Sequence, residues 1–199
     1  MRIHTLQTNL ALAVLFACVA LPSCTVKVNK SGEDDNGGNK NVDIQTPVGS
    51  LHVRNDADVQ DIGIPVYPGA RRKQKTSDAD QKSANVNISL GAYGIKVLAI
   101  EYLSDDSPEK VAAYYKDQMK KFGDVLECHT EHHSAEMGDH DGEKSSDALK
   151  CEGSNSGRII ELKSGTRHNQ HIVSIEPGEN GKGSNFGLVY IRLRGKGTI

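Results

Sequence analysis

Residues 94–123, GIKVLAIEYLSDDSPEKVAAYYKDQMKKFG, join a strand to a helix and decide the fold. From Ile95 to Leu103 both alternating sets of side chains are largely apolar, the pattern of a central strand packed on two faces. Asp105-Asp106-Ser107-Pro108-Glu109 then reads as a helix start. Ser107 can cap free amides, Pro108 suits the first helical position, and the carboxylates complement the helix dipole. The spacing predicts a helix over 108–122 in which Val111, Tyr115, Met119 and Phe122 make one apolar stripe. Asp117 and Lys121 can pair at i,i+4, and Gly123 is a natural stop. An aromatic stripe at this spacing is core rather than a cofactor site.

Working outward, Val42–Gln45 and Leu51–Val53 flank Thr46-Pro47-Val48-Gly49-Ser50, which predicts a hairpin. Ile62–Ala70 carries Pro65 and Pro68, so it is expected to wrap the domain as an extended segment, and 71–83 is expected to be an exposed loop. Further strands are expected at Val86–Leu90, Val125–Thr130, Ala148–Glu152, Arg158–Lys163, Gln170–Glu176 and Phe186–Arg194. One strong helix among many short strands predicts an α+β fold, a mostly antiparallel sheet with one main helix packed on one face. A doubly wound parallel sheet would need repeated crossover helices, and the sequence has none.

A chain of 199 residues with no Trp is too short for a large multidomain enzyme. Its formal charge of −2, from 24 basic and 26 acidic residues, argues against nucleic acid as a partner.

The amino terminus, MRIHTLQTNLALAVLFACVALPSC, has Arg2 in a polar start, an apolar run from Leu10 to Leu21, and small Ser23 before Cys24. This is the anatomy of an export signal, and the run falls short of the roughly 20 residues a spanning helix needs. Leu21-Pro22-Ser23-Cys24 resembles the lipobox of bacterial lipoproteins. The resemblance covers this segment alone and implies cleavage before Cys24, a diacylglyceryl group on its sulfur, and further acylation, such as palmitate, on its amine. Residues 1–23 are then a signal peptide, 24–41 a lipidated terminus and flexible tether, and 42–199 a single domain. Two or more acyl chains hold a protein stably on a bilayer. The tether composition, rich in Gly, Asn, Asp and Lys, gives it a reach of roughly 20–25 Å. The implied address is the cell envelope on the non-cytoplasmic side, with Thr25 after Cys24 pointing by analogy to an outer membrane. Loss of Arg2 with the signal moves the formal charge from −2 to −3, so overall charge offers no attraction to anionic lipid. The pairing of PVYPGA, residues 65–70, with DSPEKVAAYY, residues 106–115, is similar to one seen in exported bacterial domains of unknown role, and it implies fold rather than chemistry.

Cys128 and Cys151 are the cysteines of the domain once Cys18 leaves with the signal and Cys24 is acylated. An even pair outside the cytosol is most simply a disulfide, with free thiols or a metal site as the alternatives. The intervening loop concentrates His129, His132, His133 and His140 with Asp139. These are ligand types for zinc or copper, or a pH-sensitive cluster, although a solvated loop is their ordinary setting. Gly153-Ser154-Asn155-Ser156-Gly157 has Asn where a nucleophile elbow needs Ser and reads as a turn. Gly178–Asn185 joins strands and lacks the helix N-terminus of a phosphate cradle. With no reactive constellation, the expectation is a non-enzymatic module, without a resident cofactor, that binds or scaffolds an envelope component. The second reading is a metal- or redox-responsive protein using residues 128–151.

Overall fold

The computed structural model describes residues 25–30, 40–54, 57–73, 83–131, 147–151 and 155–195. The strands are β1 (Thr25–Lys30), β2 (Lys40–Thr46), β3 (Gly49–Arg54), β4 (Arg71–Arg72), β5 (Ser83–Leu90), β6 (Tyr93–Ser104), β7 (Leu126–Thr130), β8 (Ile159–Thr166), β9 (Asn169–Pro177) and β10 (Ser184–Arg194). The helices are α1 (Val59–Ile62) and α2 (Pro108–Gln118), with a 3₁₀ turn over Met119–Phe122 and another at Glu179–Gly181. All the strands belong to one sheet in the order β1-β2-β3-β5-β6-β10-β9-β8-β7, and β4 lies beside β6 beyond the end of β5. Every described pairing is antiparallel. The protein is therefore a sheet-dominated α+β fold, with β6 central as its composition requires.

Several expectations change. The stretch expected to be a tether contains β1, and β2 begins at Lys40 rather than Val42. Residues 148–151 form no strand; Cys151 is tied to β7 by the disulfide, and the neighbouring Asp147 carbonyl accepts from the Arg167 N–H at 3.1 Å. The 71–83 loop includes β4, whose two residues continue the β6 ladder. Helix α1 is a single turn capped by the Asp58 carboxylate, which accepts from the Gln60 amide at 3.0 Å. Val111, Tyr115 and Met119 are buried, but the chain tightens to 3₁₀ at Met119. That tightening places Lys120, not Lys121, against Asp117 at 3.1 Å, while Lys121 Nζ donates to the Gly63 carbonyl at 2.8 Å.

The helix is positioned by a distance requirement. The chain leaves β6 and re-enters the sheet at β7, on the far edge, with β10, β9 and β8 between. Four strand spacings are about 19 Å, and 11 helical residues rise about 17 Å. Helix α2 thus crosses this half of the sheet. Beneath it are Leu98, Ile100 and Tyr102 of β6, Phe186 and Leu188 of β10, Val173 and Ile175 of β9, and Ile160 and Leu162 of β8.

The residues before α2 act differently from the expectation. Ser107 is the N-cap residue but makes no side-chain cap bond to a backbone amide; its hydroxyl instead helps hold the Glu109 carboxyl below its ordinary range. Asp105 binds the Arg71 guanidinium through both oxygens, at 2.8 and 3.1 Å. Asp106 accepts from the Tyr67 hydroxyl at 2.7 Å and pairs with Lys110 at 2.8 Å, and the hydrogen bonds from Lys110 and Tyr67 lower its pKa. Tyr67 is also fixed from its backbone, whose N–H donates at 2.9 Å to the hydroxyl of Tyr115. The wrapping segment is therefore clasped to α2, and Tyr115 has no exposed surface.

Across the strands β2, β3 and β5 the sidedness reverses. Directly opposed residues of an antiparallel pair share a face. Val42 opposes Val53, which opposes Val86, which opposes Val97, and this apolar row is half-buried on the face away from α2. The α2 side of the same strands carries Asp43, His52 and Asn87, with His52 bonded to Asp43.

Replacing Tyr115 with Phe leaves the buried Tyr67 N–H without its acceptor and is expected to lower stability by about 1–3 kcal/mol. The urea midpoint should fall with an unchanged m-value. His171, stacked on Phe122 at 3.6 Å, has its pKa pushed down to about 4, first by burial and then by Lys121. The unfolded chain binds this proton more readily, so stability should fall as pH drops from about 6.5 to about 4 and level below it. A melting series over that range should show a shallower slope in His171→Phe.

Candidate functional site

Of the residues singled out by sequence, Cys128, His129 and Cys151 are among the described residues. Cys128 is buried in the middle of β7, and Cys151 lies outside any strand. Their sulfurs are 1.97 Å apart, a disulfide closing a separation of 23 residues. Because side chains alternate along β7, neighbouring His129 faces the opposite way, its Nε2 3.3 Å from the Glu127 carboxylate. Glu127 also pairs with Lys116 of α2, whose hydrogen bond is the main cause of its lowered pKa. His129 and the disulfide therefore do not form one site. Residues His132, His133, His140 and Asp139, like Cys24, lie outside the described residues. Among the described residues no three His, Cys, Asp or Glu side chains are grouped closely enough to hold a metal ion.

The Gly153–Gly157 segment does more than turn. Asn155, in the left-handed region at φ 52°, accepts the His129 N–H through its side-chain oxygen at 2.6 Å. The Gly157 N–H donates to the His129 carbonyl at 3.2 Å, and a Cβ there would stand 1.8 Å from the Thr130 carbonyl. Residues 155–157 thus occupy backbone groups on the outer edge of β7, where an unpaired strand would otherwise offer itself to another chain. Beside them opens a cleft of about 680 Å³ lined by Glu131, Arg158, Ile159, Glu176 and the Gly178–Gly181 turn, among others. It lies at the β9–β10 end where Ser184 opposes Pro177. Its charged lining is assembled from three separate segments of the chain, and no spacing in the sequence signals it.

On the face away from α2, Glu161 stands opposite Cys128 and bonds Lys163 at 3.3 Å, with both side chains 2% exposed. The run Ile159-Ile160-Glu161-Leu162-Lys163 looks half-solvated in sequence, so this buried pair also escapes pattern reading.

No protein family, curated protein or solved structure matches this chain. The reading of the site therefore rests on its own geometry. Among the described residues no helix is long and apolar enough to cross a membrane.

Removing one member of a buried ion pair takes away its Coulombic compensation, whereas replacing both with apolar groups removes both charges. Lys163→Met is expected to cost about 3–5 kcal/mol in chemical denaturation, and Glu161→Leu/Lys163→Met should regain most of that loss. A double variant as unstable as the single one would show that the charges are required for packing.

Proposed function

We propose that this protein is a lipid-anchored, non-enzymatic module of the cell envelope, acylated at Cys24 and held on the non-cytoplasmic side of a membrane, where its domain binds or scaffolds an envelope component. The observation that carries this reading is the Cys128–Cys151 bond. A disulfide belongs to an oxidising compartment, and the pairing leaves Cys24 as the cysteine available for acylation once the signal, with Cys18, is removed. The 12-residue apolar run and the lipobox-like Leu21-Pro22-Ser23-Cys24 supply the route there.

The fold changes what the anchor does. Since β1 starts at Thr25, acyl chains on Cys24 would meet the sheet directly, without an intervening spacer. β10 runs from Ser184 at the cleft to Arg194 at the end nearest Thr25, a length of about 34 Å for 11 residues. The cleft then faces away from the bilayer, toward other envelope molecules.

The test is the mass of the mature amino-terminal peptide together with fractionation of Cys24→Ser. Acyl mass on Cys24 and release of the variant from the membrane pellet are expected. An unmodified thiol, or a variant that pellets like the native protein, rejects the anchor.

A further inference from the structure

Three large hydrophobic side chains are exposed among the described residues, and all three stand at one end of the sheet: Val48 at 74%, Leu90 at 57% and Tyr93 at 58%. Val48 is in the β2–β3 turn, and Leu90 and Tyr93 flank the β5–β6 turn. The two tips are tied together. The Gly91 N–H donates to the Val48 carbonyl at 3.1 Å, and Gly49 opposes Leu90 so closely that a Cβ on it would stand 2.2 Å from the Ser89 carbonyl oxygen. The Thr46 hydroxyl bonds both the carbonyl and the N–H of Gly49, at 2.9 and 3.1 Å. These are braced tips whose apolar side chains stay largely exposed.

Two independent features converge on this end. Thr25 opposes Gln45, one residue from the end of β2, so β1 begins beside the β2–β3 tip. Cys24 is the next residue. On the other side of the tips, Arg192 opposes Lys96 and Arg194 opposes Gly94, with the guanidinium 3.5 Å from where a Gly94 Cβ would be. Lys96, Arg192 and Arg194 have no ion-pair partner among the described residues. The net negative charge of the chain conceals this local cationic group. Tyr is a residue of the membrane–water interface, and cations next to a bilayer gain from anionic headgroups.

We propose that this end of the sheet is a membrane-docking surface: Val48, Leu90 and Tyr93 sink into the headgroup–acyl boundary while Lys96, Arg192 and Arg194 contact anionic lipid headgroups. The proposal builds on the Cys24 anchor, which would deliver this end to the bilayer. It holds the sheet upright on the membrane and fixes the orientation of the cleft.

The experiment uses the lipidated protein purified from cells and reconstituted on mixed zwitterionic and anionic phospholipid vesicles. Hydrogen exchange at residues 46–49 and 90–94 should slow on vesicles by at least about tenfold relative to the same protein in detergent. Val48→Ser/Leu90→Ser/Tyr93→Ser should abolish that slowing while still floating with the vesicles and melting like the native chain. Lys96→Gln/Arg192→Gln/Arg194→Gln should weaken it, as should purely zwitterionic vesicles. A native protein that floats yet exchanges at these tips as fast as in detergent overturns the docking surface and leaves the anchor standing. Failure to float, with no acyl mass on Cys24, overturns the anchor instead. Shielding of the tips in cells but not on pure lipid vesicles overturns the proposal in favour of a protein partner.

Discussion

The hydrogen bond from the Tyr67 N–H to the buried Tyr115 hydroxyl is the joint on which the helix-covered half of this protein depends. The segment around Pro65 and Pro68 has no strand partner to hold it, and α2 contacts the sheet through a narrow stripe. Each would be weakly held alone. Tyr115 binds the wrapping segment through oxygen and packs its ring 5.6 Å from that of Phe186 on β10, so one side chain connects wrap, helix and sheet. Tyr67 adds a second connection through its hydroxyl to Asp106, next to the helix N-terminus.

That joint also explains why the sheet has two characters. A helix of 11 residues can roof only the strands between β6 and β7. Beneath the roof the apolar side chains face α2. Beyond it, in β2, β3 and β5, the same side is polar, and the apolar row turns to the opposite face. The outer half behaves as a sheet face in its own right, and its turns carry the exposed Val48, Leu90 and Tyr93.

Function follows from a polarity along the strands. One end gathers the start of β1, the braced apolar tips and the cations Lys96, Arg192 and Arg194. The other holds the cleft between Arg158, Glu176 and the Gly178–Gly181 turn. Under the proposed anchoring and docking, the first end would meet the membrane and the second, with its cleft, would face away from it. Asn155 and Gly157 occupy backbone groups of β7, one of the two edge strands of the sheet.

Sequence alone determined the elements whose signals are local. The β6 run, the helix start at Pro108 and the buried stripe through Val111, Tyr115 and Met119 depend on spacing along a few turns or a few residues and are present, although Ser107 makes no cap bond and the chain tightens to 3₁₀ at Met119. Cysteine parity likewise pointed to Cys128 with Cys151. Tertiary structure alone decided the remainder. A strand at Thr25–Lys30 has a tether's composition and exists only through its ladder with β2. Ala148–Cys151 has apolar residues but finds no neighbouring strand to pair with. The Glu161–Lys163 pair, the cleft and the cationic apolar sheet end join residues distant in the chain. Their proximity comes from strand order and register, which depend on non-local pairing and cannot be inferred from periodicity.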